Sequence, residues 1–185
     1  MQTFLISTLT VALAELGDKT QLLALILAAK YRRPWPIAAG ILVATLINHA
    51  LAGTIGAAIA KWLAPQTLQW IVAVSLIAIS LWTLKPDKAD EKEAEHGTNH
   101  GVFIATAVSF FLAEMGDKTQ IATAVIAAEY HPLWQVIGGT TTGMLLADLP
   151  VIWLGAKFAT RLPLRAIRYT TALFFAAMGV WILLR

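Results

Sequence analysis

A seven-residue motif occurs twice in this chain, each time within a long apolar segment. The motif Glu-x-Gly-Asp-Lys-Thr-Gln occupies residues 15–21 and again residues 114–120, an offset of 99. The same offset, without gaps, aligns further identical residues: Phe4/Phe103, Tyr31/Tyr130, Trp35/Trp134, Gly40/Gly139, Gly56/Gly155 and Trp82/Trp181. Because the matches extend through the whole chain, they indicate a duplicated unit. We take residues 1–84 and 102–185 as the two copies.

The composition indicates a membrane protein. Of the 185 residues, 58% are hydrophobic and 14% are charged, whereas a soluble domain is about 25% charged. A helix that crosses a bilayer needs about 20 mostly apolar residues. Six segments meet this requirement: 3–29, 37–61, 67–84, 102–128, 135–158 and 166–184. The sequence therefore predicts an all-α integral membrane protein with six transmembrane helices.

Each copy of the repeat contains three predicted spans, which is an odd number. A second copy that directly follows the first must then enter the membrane in the opposite sense, so we expect two inverted three-helix repeats. Such repeats are typical of secondary transporters, which bind their substrate near the bilayer midplane. The first and fourth spans carry the charged motifs near their middles and are predicted to be kinked or broken there. Pro150 is predicted to kink the fifth span.

Basic residues predict the orientation. Six spans alternate the connections between two sides, and one side receives ten Lys and Arg residues while the other receives only Lys61 and Arg185. Because the basic side is normally cytoplasmic, both termini are predicted to be periplasmic and the polar stretch 85–101 to be a cytoplasmic linker. The net charge of +3 comes from residues at span ends, so it indicates membrane anchoring rather than nucleic-acid binding.

Four acidic residues of the motifs are the candidate metal ligands: Glu15, Asp18, Glu114 and Asp117. An ionised carboxylate inside a membrane is costly and is by default functional. Residues at i, i+3 and i+4 share a helix face, so each motif would present its acids together. Carboxylate oxygens suit hard cations such as Mn²⁺, Ca²⁺ and Mg²⁺. The supporting residues predicted for this site are Gly17, Lys19, Thr20, Gln21, Gly116, Lys118, Thr119, Gln120, Asn48, His49 and Asp148.

Several roles remain open at this point. Glu15 with Lys19 has the favourable i, i+4 order of a helical ion pair, so a purely structural role for each motif is an alternative. The offset of 99 aligns His49 with Asp148. Asp148 could be a ligand, a proton relay or a partner for His49. A histidine ligand would favour Mn²⁺ over Ca²⁺.

The doubled motif in a six-span chain resembles a family that contains bacterial manganese exporters of the Mne/Mnx type. The same family contains eukaryotic Golgi cation–proton exchangers of the transmembrane-protein-165 type. The resemblance covers essentially the whole chain. It implies a secondary transporter that exports Mn²⁺ from the cytoplasm in exchange for protons, with the metal as substrate and not as cofactor. It also implies a location in a bacterial inner membrane. The site residues that the resemblance marks are Glu15, Gly17, Asp18, Lys19 and Thr20 in the first motif and Glu114, Gly116, Asp117, Lys118 and Thr119 in the second.

Other functions compete with this interpretation. A Ca²⁺/H⁺ antiporter would use the same architecture. A passive divalent-cation channel and an exporter of a small organic cation are further alternatives, although aliphatic residues flank the motifs. An enzyme is not expected, because the sequence contains no convincing Ser/His or His-Glu-x-x-His motif. The partners predicted are cations, protons and lipid; an oligomer is possible but not indicated.

Overall fold

The computed structural model describes residues 1–85, 101–154 and 163–185. These residues contain eight α-helices and no β-strand: α1 (Gln2–Glu15), α2 (Lys19–Tyr31), α3 (Pro34–Ala60), α4 (Pro65–Thr83), α5 (Val102–Glu114), α6 (Lys118–Glu129), α7 (Leu133–Leu154) and α8 (Leu164–Leu184). The linker predicted at 85–101 and the end of the predicted fifth span fall almost entirely outside the described residues. The chain is therefore all-helical in its described part, as expected.

The helices fall into two length classes. Within the described residues, α3, α4, α7 and α8 are long and apolar enough to cross a membrane. The other four helices have 12 to 14 residues each, which is shorter than the ~20 residues that a crossing needs. They form two consecutive pairs, α1–α2 and α5–α6, at the places where the first and fourth spans were predicted. The interior of α7 includes Pro150; its predicted kink stays a prediction.

The distribution of polarity is that of a protein surrounded by lipid. Large aliphatic side chains lie exposed along the long helices, for example Leu46, Leu51 and Ile55 on α3. A set of charged and polar side chains is buried instead, whereas several basic residues near the helix ends are exposed. The buried set includes Glu15, Asp18, Asn48, His49, Glu114, Asp117, Lys118 and Asp148. Because a charge in hydrocarbon is costly and faces the protein interior, this arrangement fits a multi-pass membrane protein.

Helices of the two halves pack closely against each other through glycines. α1 packs on α7, and the equivalent helix α5 packs on α3. A β-carbon on Gly139 would lie 2.6 Å from the carbonyl oxygen of Phe4. Its repeat equivalent, Gly40, has the equivalent neighbour, since a β-carbon there would lie 2.9 Å from the carbonyl oxygen of Phe103. The same contact is thus made twice, with the two halves exchanged.

The substitution Gly139→Ala is expected to lower the free energy of unfolding by about 1–3 kcal/mol, the usual cost of overpacking. The added methyl group would meet the Phe4 carbonyl oxygen and, at 2.8 Å, the β-carbon of Ser7, so α1 must move away. Gly138→Ala is the matched control, because a β-carbon there lies 3.6 Å from the Phe4 ring, an ordinary contact. Both variants gain the higher helix propensity of alanine, so a difference between them reports the contact with α1. Thermal unfolding in detergent should rank wild type and Gly138→Ala above Gly139→Ala; equal midpoints for the two variants would contradict this packing.

Candidate metal centre

The break between α1 and α2 is a tight turn set by glycine. Leu16 has φ −60° and ψ 113°, and Gly17 has φ 79°. These angles are those of the two central residues of a type II turn, where the second position favours glycine. The turn is closed by the amide of Asp18, which donates to the carbonyl oxygen of Glu15 at 3.0 Å. The motif itself therefore ends α1 at Glu15 and starts α2 at Lys19.

The second break repeats this geometry. Met115 has φ −64° and ψ 117°, Gly116 has φ 78°, and the Asp117 amide donates to the carbonyl oxygen of Glu114 at 3.0 Å. Each aspartate precedes the first residue of the following helix. That position favours an acidic side chain, because the helix dipole is positive at its N-terminus.

The motif glutamines connect each break to a long helix of the other half. The Gln21 side chain accepts a hydrogen bond from the Gly17 amide at 3.0 Å and donates to the carbonyl oxygen of Ala147 on α7 at 2.9 Å. This holds the first turn against the second half of the chain. Gln21 was predicted as a supporting residue, and its observed role is to position the backbone.

Gln120 does the same at the second break. It accepts from the Gly116 amide at 2.7 Å and donates to the Asn48 side chain on α3 at 3.3 Å. Asn48 in turn donates to the carbonyl oxygen of Phe111, in the last turn of α5, at 3.1 Å. Since the carbonyls of a last helical turn lack partners within their own helix, Asn48 stabilises the broken end of α5.

Three motif carboxylates lie together at the breaks. Glu15, Glu114 and Asp117 each offer an oxygen atom within 4.8 Å of the others. Glu15 and Glu114 are completely buried, and Asp117 is 5% exposed. The fourth predicted ligand, Asp18, is buried nearby but does not belong to this group. The structure thus brings acids from both motifs into one cluster, which we call the acid centre: Glu15, Glu114 and Asp117.

The two glutamates of the acid centre differ in their surroundings. Both oxygens of Glu15 accept short hydrogen bonds from threonine hydroxyls, one from Thr20 of its own motif and one from Thr119 of the other. Neither oxygen of Glu114 has a hydrogen-bond partner among the described residues. A buried carboxylate without a donor or counter-ion is expensive. Glu114 is therefore the carboxylate of the centre that most needs a bound cation or proton.

The lysines pair with aspartates of the opposite half. The ammonium group of Lys118 lies 2.6 Å from Asp18, and both side chains are buried. Lys19 lies 3.9 Å from Asp117. The ion pair between Glu15 and Lys19 within one helix, which the sequence left open as an alternative, is not formed, because the helix ends between them. The expectation that each motif presents its acids and lysine on one continuous helix face is likewise wrong, and the charges are paired across the repeat.

Two of the three supporting residues on the long helices, His49 and Asp148, are buried without hydrogen-bond partners among the described residues. Asp148 is completely buried and close enough to Glu15 for the two charges to interact. His49 is also completely buried. Among the described residues, no partner accepts from or donates to either side chain. The sequence suggested that Asp148 could be a partner for His49. In the structure the two side chains do not form a hydrogen bond with each other.

One stabilising contact of the breaks was not found from the sequence. Thr171 on α8 donates to the carbonyl oxygen of Leu13, in the last turn of α1, at 2.9 Å. It serves the end of α1 as Asn48 serves the end of α5. Thr171 belongs to no motif, and threonine is common in such apolar segments, so no local signal marked it.

The sequence matches the profile of the family described as "Divalent cation/proton antiporter GDT1" over residues 3–91 and 102–185. The chain belongs to the GDT1 family. The matched residues include both motifs and nearly all of the described helices. The resemblance drawn from the doubled motif is thereby confirmed.

Relatives of the GDT1 family extend over nearly the whole chain. A protein of Vibrio cholerae serotype O1 named "Putative manganese exporter" is 49% identical over 181 residues, which are 97% of this chain and 90% of that protein. A GDT1-like protein of Synechocystis is 29% identical, over 96% of this chain and 94% of its own. GDT1-like protein 5 of Arabidopsis thaliana is 26% identical, over 100% and 96%. No solved structure matches the chain.

Membership in the GDT1 family determines the class of activity. The GDT1 family is described as one of divalent cation/proton antiporters, so the chain is by family a transporter and not an enzyme, as the sequence predicted. A metal ion is its substrate rather than a cofactor. The acid centre groups carboxylate oxygens of both motifs within 4.8 Å of one another, and oxygen is the ligand type that hard divalent cations prefer.

Proposed function

We propose that this protein exports Mn²⁺ from the cytoplasm in exchange for protons, and that the ion binds at the acid centre. The observation that carries the proposal is the grouping of oxygens from Glu15, Glu114 and Asp117 within 4.8 Å. The three side chains come from both halves of the chain and are buried. An ion held there contacts both repeats at once, as alternating access around a fixed site requires.

The charge around the acid centre supports a divalent cation. The four motif acids contribute −4 and the two motif lysines +2, a sum of −2. Adding the nearby Asp148 gives −3. Buried charge of one sign is costly unless it is neutralised. One divalent ion removes most of this excess.

The same charge excess supports exchange for protons. When the metal leaves, the closely spaced carboxylates repel one another, and protons are the simplest replacement for the lost positive charge. Because one set of oxygens would carry either the metal or the protons, the two could not cross together in the same direction. This competition is the basis of the proposed antiport.

We further propose that the chain forms six membrane crossings as two inverted repeats. The pairs α1–α2 and α5–α6 would each form one broken crossing, since together they have 27 and 25 residues. Support comes from the reciprocal glycine contacts. It also comes from the motif glutamines, because Gln21 contacts α7 and Gln120 contacts the equivalent helix α3.

The proposed orientation places both termini in the periplasm and the 85–101 linker in the cytoplasm of a bacterial inner membrane. The choice of side rests on the basic residues. The grouping of the helix ends is supported by contacts between ends assigned to the same side, such as the ion pair of 3.2 Å between Arg185 and Glu129. At the opposite ends of α3 and α7, the rings of Trp35 and Trp153 lie 5.5 Å apart. The natural chain has no cysteine. Single cysteines at Trp62 and Lys85 should react with an impermeant maleimide from the periplasm and from the cytoplasm, respectively; the reverse result would overturn the orientation.

Oxygen ligands alone do not separate Mn²⁺ from Ca²⁺. The proposal of Mn²⁺ rests on the name of the Vibrio cholerae relative, which is 49% identical. A Ca²⁺/H⁺ antiporter is the second candidate, because it would use the same carboxylates.

Transport in inside-out vesicles tests the proposal. With an imposed proton gradient, vesicles that contain the protein should accumulate Mn²⁺ in preference to Ca²⁺ and should dissipate the gradient as they do so. The matched control is Glu129→Gln, which removes an acid outside the acid centre and should leave uptake intact. Preference for Ca²⁺ would favour the second candidate. Metal flux without proton flux would indicate a channel, and no metal flux at all would favour an organic substrate.

A further inference from the structure

Three buried polar side chains, one each on α3, α6 and α7, do not belong to the acid centre. His49 and Thr123 are completely buried and Thr141 is 5% exposed. Neither ring nitrogen of His49 has a hydrogen-bond partner among the described residues, nor does the hydroxyl of Thr123 or Thr141. A buried polar group without a partner is costly, because it has given up its hydrogen bonds to water. Three of them in one region therefore require an explanation.

The free threonine hydroxyls are unusual for this chain. Threonines inside helices often donate to the carbonyl oxygen four residues earlier. Thr8, Thr106 and Thr142 do this at 2.7–2.8 Å. Thr142 follows Thr141 directly on α7, so the backbone of this helix permits such a bond. Thr141 and Thr123 do not form it, which leaves their oxygens available to another ligand.

The three groups lie at the same level of the helix bundle. Gly53 on α3 packs against Ala127 of α6 and Ile137 of α7. Four residues along each helix is about one turn, and residues so spaced share a face. One turn closer to the acid centre, His49 follows from Gly53 on α3, Thr123 from Ala127 on α6, and Thr141 from Ile137 on α7.

The direction of that turn follows from a second contact. At the start of α6, next to the second motif, Gln120 donates to Asn48. α3 and α6 therefore both approach the acid centre with decreasing residue number. α7 approaches the acid centre with increasing residue number. Gln21 of the first motif donates to the carbonyl oxygen of Ala147, which lies towards the C-terminal end of α7. The layer of His49, Thr123 and Thr141 thus lies between the acid centre and the contact made by Gly53.

We propose that His49, Thr123 and Thr141 form a second cation site, at which Mn²⁺ rests after leaving the acid centre towards the periplasm. The proposal rests on the proposed function and deepens it. The site offers one imidazole nitrogen and two neutral hydroxyl oxygens. Without carboxylates it would bind more weakly than the acid centre, so an ion could leave it.

The nitrogen ligand gives this second site a chemical preference. Imidazole suits transition metals, whereas Ca²⁺ and Mg²⁺ prefer oxygen. The repeat equivalent of His49 is Asp148, so the nitrogen is present in only one half of the molecule. The acid centre would accept several hard cations, and the second site would discriminate among them during release.

Pulsed electron paramagnetic resonance of the protein saturated with Mn²⁺ tests the site directly. The spectrum should contain the ¹⁴N coupling of an imidazole, which should change to ¹⁵N coupling when the protein is labelled with ¹⁵N-histidine. His49→Gln should abolish it, whereas His131→Gln should not, because His131 is exposed. The isotope experiment needs no substitution, so it decides the question even if His49→Gln fails to fold. Absence of the coupling in the wild type, or its persistence in folded His49→Gln protein, would overturn the proposal.

Threonine-to-valine variants separate a binding role from a structural one. Thr141→Val removes a hydroxyl that has no partner, and Thr142→Val is its matched control. Calorimetry with Mn²⁺ should resolve a weaker second binding step, and Thr141→Val should reduce its affinity by about 10-fold, at the lower end of effects seen around metal sites. The metal-free Thr141→Val protein should be at least as stable as wild type. An unchanged second step in Thr141→Val would overturn the site.

The same experiments distinguish this proposal from the one on which it rests. If Mn²⁺ binding needs Glu15 but shows neither nitrogen coupling nor a second step, the second site is wrong and the acid centre stands. If the wild type binds no Mn²⁺, both proposals fail.

Discussion

Glu15→Gln and Glu114→Gln are each expected to reduce Mn²⁺ uptake by more than about 100-fold. Glutamine keeps the shape of the side chain but removes one negative charge from the acid centre. Even the hydrogen-bonding partners of metal ligands contribute about 10- to 100-fold to affinity, so the loss of a ligand should cost more. The measurement is the initial rate of uptake into inside-out vesicles, normalised to the amount of protein. Glu129→Gln is the control for loss of an acid elsewhere.

The two variants should differ in stability. Neither oxygen of Glu114 has a hydrogen-bond donor among the described residues, so Glu114→Gln removes a buried charge without breaking a bond. Glu15 accepts hydrogen bonds from Thr20 and Thr119, and the amide nitrogen of a glutamine cannot accept one of them. Unfolding in detergent without metal should therefore show Glu114→Gln to be the more stable variant. Transport that persists in either variant would show that its carboxylate is structural.

Lys118→Ala is expected to destabilise the protein by about 3–5 kcal/mol, the usual cost of removing one partner of a buried ion pair. The substitution leaves Asp18, which is 1% exposed, without the ammonium group that lies at 2.6 Å. Lys19→Ala is the matched control from the other motif. Lys19 lies 3.9 Å from Asp117 and its side chain is 20% exposed, so its loss should cost only about 0–1 kcal/mol. Denaturant unfolding in detergent measures both.

A double substitution separates pairing from packing. If the cost of Lys118→Ala comes from the abandoned charge, then adding Asp18→Asn should recover a large part of it. Equal destabilisation by Lys118→Ala and Lys19→Ala, or no recovery in the double variant, would contradict the importance of the pair.

Much of the helical architecture could be predicted from the sequence. Apolar segments of about 20 residues identify the long helices because a bilayer imposes that length. The glycine of each motif allowed the break to be anticipated, since a positive φ is easy only for glycine. Where they fall within the described residues, the ends of the predicted segments differ from the ends of the helices by up to three residues, as at the start of α3, which was predicted at residue 37 and lies at Pro34. End signals in apolar helices are weak.

The charge pairing could not be predicted. The rule that residues four apart interact holds only within a continuous helix, and the turn at Gly17 ends the helix between Glu15 and Lys19. The true partner of Asp18 is 100 residues away. Only the tertiary packing of the two halves brings these side chains together, and no local pattern contains it.

The different surroundings of Glu15 and Glu114 could not be predicted from the sequence either. The motifs are identical at the acids, yet Glu15 receives threonine hydroxyls from both motifs and Glu114 receives none among the described residues. An exact symmetry would give each glutamate one such hydroxyl. Which glutamate accepts from the two threonines depends on the tertiary packing, so a repeat in sequence does not determine it.

The ion pairs that cross between the halves make the two repeats mutually dependent. A fragment that ended within the 85–101 linker would bury Asp18 without Lys118, and the complementary fragment would bury Lys118 without Asp18. Each fragment made alone should therefore be unstable, unless two identical copies formed equivalent ion pairs with each other. If the gene were divided at the linker, the two products should therefore accumulate only when they are made together and assemble as a heterodimer.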